Sequence, residues 1–137
     1  MLEKSVLFRI DGETRVATLT LNRLDKLNSF TREMHREIGA ALTEIEGSQA
    51  RALIITGAER GFCAGQDLAD LDFTRGAMSD LGDLIDEHFN PLVRRLQSSP
   101  LLIIATVNGT QRAPARISRW PAISSWRRVP RASFRRL

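Results

Sequence analysis

Apolar and polar residues are distributed along the first part of the chain in a pattern that predicts two strands. A short apolar, β-prone run covers residues 5–10, and a Gly-Glu turn separates it from a second run over 15–23. In the second run Ala17, Leu19 and Leu21 share one face, and the residues between them share the other. The two runs are therefore predicted to form a hairpin.

The pattern then changes to helical spacing, and a helix is predicted over about residues 32–46. Thr31 has the position of its N-cap, Glu33 supplies an acidic residue to the first turn, and Gly47 ends it. The apolar stripe of this helix consists of Met34, Ile38, Leu42 and Ile45. The polar face that is expected to point outward consists of Arg32, Glu33, Arg36, Glu37 and Glu44. His35 is expected on the polar side of this helix, in solvent.

Three more elements follow. ALIITG (52–57) and LLIIATV (101–107) are compact apolar runs, typical of strands covered on both faces. Residues 79–96 carry apolar side chains at spacings of three and four, and Pro91 predicts a kink near Phe89. The order ββα, β, α, β indicates a layered α/β fold.

Length and composition limit the functional class. A chain of 137 residues suits one domain, and no apolar run approaches the ~20 residues of a membrane helix. Met1 leads directly into a strand pattern, so we expect no signal peptide. The single cysteine excludes an internal disulfide framework and fits a reducing compartment, which favours a cytoplasmic location.

The segment ERGFCAGQDLADL (59–71) is the most informative loop. It follows a predicted strand, and the small residues Ala64 and Gly65 let a ligand approach the backbone closely. If Gln66 or Asp67 begins a helix, its free N–H groups suit an oxyanion or a phosphate, and Asp67 is a candidate cap. An ordinary tight turn with a helix cap explains the same residues, and the pattern alone leaves both interpretations open.

Four ordered motifs give the chain a family resemblance. NRLDKLNSF, ALIITGAERGFCAGQDL, NPLVRRL and IIATVNG resemble, in order and spacing, the enoyl-CoA hydratase/isomerase (crotonase) superfamily. The likeness covers about residues 5–109. The form GFCAGQDL is particularly similar to the phenylacetate-degradation branch, whose members act on ring-derived enoyl- or epoxy-acyl-CoA thioesters. The resemblance implies a spiral of ββα units, of which this chain holds the N-terminal portion, assembled into homotrimers or hexamers.

The resemblance also implies a reaction and a site. Two backbone N–H groups form an oxyanion hole that stabilises a thioester enolate, and the first donor falls at Gln66. The loop backbone implied to line the coenzyme A site belongs to Lys26, Leu27, Ala64, Asp67 and Leu68. Lys26 is a candidate contact for a nucleotide phosphate. The substrate is an acyl-CoA, and the resemblance implies no metal or redox cofactor and no membrane partner.

The chain departs from the family pattern after Gly109. The glycine that supplies the second oxyanion N–H is replaced by Pro114, which has no N–H. Arg116 and Ile117 stand where some hydratases carry a glutamate that helps activate water. A further family acid is expected beyond the last residue of this chain, so activity is expected to be impaired. Leu24 replaces a frequent proline, which loosens its loop.

A change of reading frame after Gly109 is our hypothesis for this departure. In the shifted frame, the last base of each codon is read together with the first two bases of the next codon. Read in this way, Trp120 followed by Pro121 must give Ala. With GC-rich third bases, residues 116–134 shift into a family-like helix-and-strand string. The chain therefore divides into an incomplete crotonase-like core (1–110) and an Arg/Pro/Trp-rich tail (111–137). The coding DNA tests this: failure of a one-base shift to restore such a string would refute it.

The charge of the tail allows a different interpretation. Residues 1–110 contain all sixteen acidic residues and twelve of the twenty basic ones, whereas residues 111–137 contain eight arginines and no acid. Such a segment is typical of an arm that binds nucleic acid or an anionic membrane. Because out-of-frame GC-rich codons also yield arginine, proline and tryptophan, we favour the frame change. A non-catalytic acyl-CoA-binding remnant is the main alternative to an enzyme, and a basic nucleic-acid-binding module is the weaker one.

The remaining reactive side chains are assigned structural roles. Cys63 has no His–Asp partner placed for it, so packing is favoured over nucleophilic catalysis. His88 is expected on an exposed helix face, too far from the other histidine to form a metal site. The acidic stretch is expected to be a solvated helix face, and it consists of Asp80, Asp83, Asp86 and Glu87. By resemblance, nearby apolar residues of this helix border the acyl pocket, namely Leu81, Leu84 and Ile85.

Overall fold

Four strands form one mixed sheet in a computed structural model that describes residues 4–75 and 77–108. The strands are β1 (Val6–Ile10), β2 (Val16–Leu21), β3 (Ala52–Gly57) and β4 (Leu102–Thr106), arranged in the order β1-β2-β3-β4. β1 and β2 form the predicted antiparallel hairpin, and β3 and β4 add to it in parallel. The α/β prediction is confirmed. The predictions for Pro114, Arg116, Ile117 and the 111–137 tail lie outside the described residues.

One face of the sheet carries the core. Along β2 the residues that alternate with Val16 are buried, and they are Ala17, Leu19 and Leu21. Along β3, Leu53 is fully buried whereas Ile54 is only half-buried. β3 was expected to be covered on both faces, and within the described residues its second face is only partly covered.

That helix, α1 (Arg32–Glu46), has the predicted bounds. The Thr31 hydroxyl accepts a 3.1 Å hydrogen bond from the N–H of Met34, which confirms Thr31 as the N-cap. The predicted apolar stripe is buried against the sheet: Met34, Ile38, Leu42 and Ile45. Glu37 was expected in solvent but its carboxylate accepts a 2.9 Å hydrogen bond from the N–H of Val6, which ties α1 to the edge strand β1.

The second helical region changes to π-helical geometry next to Pro91, where a kink was predicted. It consists of α2 (Ala77–Leu84), a π-helical segment (Ile85–Phe89) and α3 (Asn90–Ser98). Pro91 lies in the first turn of α3, directly after the π-helical segment, where the Asn90 N–H bonds the carbonyl of Ile85 five residues earlier. Arg95 on α3 bonds the carbonyl of Gly39 at 3.0 Å and the carboxylate of Glu46 at 2.8 Å, so α3 is tied to α1.

Candidate functional site

The two loops that sequence analysis selected lie side by side. The N–H of Ala64 donates a 3.0 Å hydrogen bond to the carbonyl of Leu27. The N–H of Phe30 donates to the carbonyl of Gly65 at 2.7 Å, and the N–H of Asp67 donates to the carbonyl of Phe30 at 2.9 Å. These three bonds join the loop after β2 to the loop after β3. The structure therefore brings together the backbone of Leu27, Ala64 and Asp67, which are far apart in sequence.

Gln66 lies at the centre of this contact, in an isolated parallel bridge with Phe30. In an extended segment successive peptide groups point to opposite sides, so Gln66 turns its own N–H away from Phe30. The N–H of Gly65 donates to the sulfur of Cys63 at 3.4 Å. Within residues 4–75 and 77–108 the N–H of Gln66 donates to no acceptor. Both neighbouring amides are thus occupied, while the Gln66 amide is free in the described structure.

Gly65 is required at this position by its backbone. Its φ angle is +99°, which side chains with a Cβ rarely adopt. This angle lets the chain present the Gly65 carbonyl to Phe30 and the Gln66 N–H to the other side. Gly65 was predicted to matter for its small size, and its positive φ angle gives a second, conformational reason for a glycine there.

Two asparagines hold the turn between β3 and this loop. The side-chain amide of Asn28 is 1% exposed and donates to the carbonyls of Ala58 at 3.2 Å and Gly61 at 2.7 Å. From the other side, the Asn108 amide donates to the carbonyls of Gly57 at 2.6 Å and Glu59 at 2.8 Å. Both asparagines stand within the family motifs, but no role was predicted for them. Asn108 follows the end of β4 by two residues, whereas Asn28 lies in the loop after the 3₁₀ turn, where an asparagine side chain can also satisfy turn carbonyls.

An ion pair closes the same loop contact. The guanidinium of Arg23 donates to the carboxylate of Asp67 at 2.9 Å, and its other nitrogen donates to the carbonyl of Ser29 at 2.6 Å. The hydrogen bond from Arg23 lowers the pKa of Asp67 below its ordinary value. The other carboxylate oxygen of Asp67 accepts from the N–H of Ala69 at 3.0 Å. Asp67 is therefore a cap, as predicted.

The helix expected after the motif is shorter than the pattern suggested. Asp67 caps a single 3₁₀ turn, Leu68–Asp70, and the chain is extended again at Leu71. Leu68 is 68% exposed and Leu27 is 42% exposed, so two apolar side chains of the predicted coenzyme A site lie in solvent. Lys26 is also exposed, at the end of the 3₁₀ turn Leu24–Lys26.

Arg32, Asp70 and Asp80 form a second charged cluster next to the loop. Two predictions, those for Arg32 and Asp80, are wrong. Asp80, expected on a solvated face, is only 6% exposed, and its carboxylate accepts a 2.6 Å hydrogen bond from the Arg32 guanidinium. Arg32, expected to face out, also bonds Asp70 through its backbone N–H at 2.9 Å. The hydrogen bond to Asp80 raises the pKa of Arg32. Asp83, Asp86 and Glu87 are exposed, as predicted.

His35 is also misplaced by the sequence prediction. It is 7% exposed, and its ring lies 4.9 Å from that of Phe30, 5.5 Å from that of His88 and 4.4 Å from that of Phe89. Both ring nitrogens are buried without a partner among the described residues. Burial lowers the pKa of His35 to about 4, and the neighbouring His88 adds to the shift. The π-helical segment brings His88 onto His35, which sequence spacing did not reveal.

Cys63 has the packing role that was predicted for it. Its thiol is partly buried against the core cluster, and burial raises its pKa above the ordinary value. A raised pKa leaves little reactive thiolate at neutral pH. In the part of the chain that the structure describes, no three His, Cys, Asp or Glu side chains form a metal-binding group. No described helix is long and apolar enough to span a bilayer.

A ββα unit continued by parallel strands, with a small-residue loop after β3 whose Gln66 N–H makes no hydrogen bond in the described structure, defines an α/β protein of layered architecture. The sequence comparisons place it more narrowly. The family model described as enoyl-CoA hydratase/isomerase matches residues 11–114. The chain belongs to the enoyl-CoA hydratase/isomerase family, as its motifs predicted.

Two curated relatives illustrate the range of the likeness. The chain is 48% identical over 99 residues to the 1,2-epoxyphenylacetyl-CoA isomerase of Escherichia coli, across 71% of this chain and 38% of that protein. It is 38% identical over 96 residues to a probable enoyl-CoA hydratase of Rhodobacter capsulatus, across 69% of this chain and 35% of that protein. The chain thus spans less than half the length of these relatives.

Solved structures agree with the fold. Pseudomonas aeruginosa AtuE superposes with a TM-score of 0.65 at 29% identity, over 78% of this chain and 41% of that one. An enoyl-CoA hydratase from Thermoplasma volcanium superposes with a TM-score of 0.67 at 23% identity, over 77% and 40% of the two chains. The second likeness bears on the fold alone.

Proposed function

We propose that this chain binds an acyl-CoA thioester at the joined loops and stabilises the enolate of that thioester through the N–H of Gln66. The observation that carries the proposal is the free Gln66 amide between two occupied amides. A donor that makes no internal hydrogen bond is available to a ligand at no cost to the fold. Fixed donors aimed at a developing negative charge are a principal source of rate acceleration in acyl-group chemistry.

The residues around Gln66 suit the remainder of a coenzyme A thioester. The exposed side chains of Leu27 and Leu68 offer apolar contact, and the exposed Lys26 offers a cation for a phosphate. Asp67 is an unsuitable phosphate contact through its side chain, since it is a carboxylate paired with Arg23. Asp67 contributes through the placement of the loop, because its backbone N–H is already bonded to the carbonyl of Phe30.

The proposed reaction is hydration, or isomerisation of a double bond or ring, in an acyl-CoA. Each of these passes through a negatively charged thioester oxygen, which a backbone N–H can hold. The E. coli relative is named for a ring-derived acyl-CoA, which supports an aromatic, phenylacetate-type substrate over a plain fatty acyl chain. Coenzyme A is part of the substrate in this chemistry, and no metal or redox cofactor takes part.

Binding without turnover is the second candidate. Pro114 has no N–H to complete the oxyanion hole, and no carboxylate stands at Arg116 or Ile117. Losing one oxyanion donor lowers kcat by about 10²–10³, and losing a general acid or base by about 10²–10⁴. We therefore propose weak turnover at most. A cytoplasmic location and trimers or hexamers are proposed by family likeness.

Two measurements on the whole chain test the proposal. Calorimetric titration compares butyryl-CoA, a saturated acyl thioester, with free coenzyme A, and a spectroscopic assay follows hydration of crotonyl-CoA. Tighter binding of butyryl-CoA than of coenzyme A is expected, because only butyryl-CoA has the thioester carbonyl that the Gln66 N–H is proposed to bind. Equal binding of both, or binding of neither, would contradict the proposal. Salt-sensitive binding of DNA in place of both ligands would support the basic-module alternative.

A further inference from the structure

Arg32 connects three separate segments behind the Gln66 loop. It begins α1, and its backbone N–H donates to a carboxylate oxygen of Asp70 at 2.9 Å. Its guanidinium donates through one nitrogen to the backbone carbonyl of Asp70 and through the other to the carboxylate of Asp80, at 2.6 Å. One side chain therefore holds the 3₁₀ turn after the motif against both α1 and α2.

The two carboxylates continue the network in both directions. The oxygen of Asp70 that accepts from the Arg32 N–H also lies 3.4 Å from the side-chain Nε2 of Gln66. The second oxygen of Asp80 accepts from the backbone N–H of Asp72 at 2.8 Å. The loop is thus attached to the Arg32–Asp80 pair at two points, Asp70 and Asp72, and the side chain of Gln66 is linked to Asp70 within the loop.

Residues 68–70 are also fixed by Asp67, whose carboxylate caps their 3₁₀ turn. The single bridge between Phe30 and Gln66 is the last backbone pairing before the chain enters an isolated 3₁₀ turn. A displacement of about 1 Å in a catalytic group can cost about 10²-fold in rate, so a loop that carries a donor needs external support. The Arg32–Asp80 pair, with 29% and 7% of its two side chains exposed, is mostly buried and gives such support.

We propose that Arg32, acting with Asp70 and Asp80, is a positioning residue that keeps the Gln66 N–H directed at the thioester carbonyl. The inference rests on the proposed function. Arg32 itself touches no reacting atom, and its effect passes through Asp70 to the Gln66 loop. Arginine is needed because a planar guanidinium reaches a carbonyl and a carboxylate at once, which a lysine ammonium does less well.

Carbonyl-dependent binding tests this role in the full chain. The measured quantity is the ratio of the affinity for butyryl-CoA to that for free coenzyme A, in the wild type, Arg32→Met and Arg32→Lys. We expect Arg32→Met to lower the ratio about threefold to tenfold, the worth of one hydrogen bond, with little change in coenzyme A affinity. Arg32→Lys should lower the ratio less.

Arg95→Met is the matched control. Arg95 also joins two helices through a carboxylate and a carbonyl, those of Glu46 and Gly39, but it contacts no residue of the Gln66 loop. It should leave the ratio unchanged.

The outcomes separate this inference from the function it rests on. A wild type that binds both ligands equally overturns the proposed function and the role of Arg32 with it. A wild type that prefers butyryl-CoA, with Arg32→Met retaining the same ratio, overturns the role of Arg32 alone. Loss of the fold in both Arg32 variants, judged by circular dichroism, also overturns it, because Arg32 is then a residue of the fold.

Discussion

The guanidinium of Arg23 lies 2.9 Å from the carboxylate of Asp67, and this pair joins two loops that are 44 residues apart in the sequence. Both side chains are mostly buried, with 20% and 14% of their surfaces exposed. The pair lies beside the backbone contact between Phe30 and Gln66. Its electrostatic role is therefore to hold the two predicted coenzyme A loops together.

Arg23→Met should raise the pKa of Asp67 towards its ordinary value, because the lowered pKa comes mainly from the Arg23 hydrogen bond. A carboxyl with a lowered pKa in the folded state contributes stability above its unfolded pKa, and that contribution disappears as the pH falls through the folded value. The variant should lose about 1–2 kcal/mol at pH 7 and less near pH 3. Carbon NMR titration and urea unfolding measure the two effects.

Arg36→Met provides the comparison for that prediction. Arg36 pairs with Glu33 on an exposed face of α1, with 65% and 60% of the two side chains in solvent. Such pairs contribute little, so stability should change by less than about 0.5 kcal/mol. A loss as large as that of Arg23→Met would show that the Arg23 pair has no special place in the fold.

Gly57→Ala should destabilise the protein by more than about 2 kcal/mol. A Cβ at Gly57 would lie 2.1 Å from the carbonyl oxygen of Gly61, and both are backbone atoms that a rotamer change cannot relieve. The loop that carries Gln66 would be displaced. Gly39→Ala is the control, since nothing lies within 4 Å of its added Cβ. Alanine has the better helix propensity, so that variant should unfold at a slightly higher urea concentration.

Regular elements were predictable because their signals are local. The spacing of Met34, Ile38, Leu42 and Ile45, with Thr31 before it, predicted the bounds of α1 without error. The missing N–H of Pro91 likewise located the π-helical break. Each signal depends on residues within a few turns of one another.

The charged and aromatic clusters were not predictable in the same way. Asp80 is buried because Arg32, 48 residues earlier, is its partner, and no local pattern encodes that pair. His35 and His88 stack because the π turn rotates His88 towards α1. The motifs predicted the two loops of the candidate site and the position of Gln66. The asparagine and arginine side chains that hold these loops could be identified only from the structure, because their partners are distant in sequence.

His35 should make the protein sensitive to acid. Its pKa falls from 6.5 to about 4 on burial, so the unfolded state binds the proton more tightly. The resulting destabilisation is absent above pH 7, grows as the pH falls below 6.5, and reaches about 3 kcal/mol near pH 4. His35→Phe should remove this part of the pH dependence. Urea midpoints at pH 7, 6, 5 and 4, compared between variant and wild type, measure it.

His88→Gln separates burial from repulsion between the two rings. Burial is the larger cause of the His35 shift and His88 the smaller one, so most of the acid sensitivity should remain in that variant. If the urea midpoint changed with pH in the same way in the wild type and in His35→Phe, this account of the histidine cluster would be contradicted.

The free amide of Gln66 is tested most directly by Gln66→Pro against Gln66→Ala, with the affinity for butyryl-CoA relative to coenzyme A as the measurement. Proline removes the N–H, which makes no hydrogen bond in the described structure, whereas alanine keeps the N–H and removes only the side chain. We predict that Gln66→Ala retains most of the preference for butyryl-CoA and that folded Gln66→Pro loses it. A folded Gln66→Pro that prefers butyryl-CoA as strongly as the wild type would contradict the proposed oxyanion role.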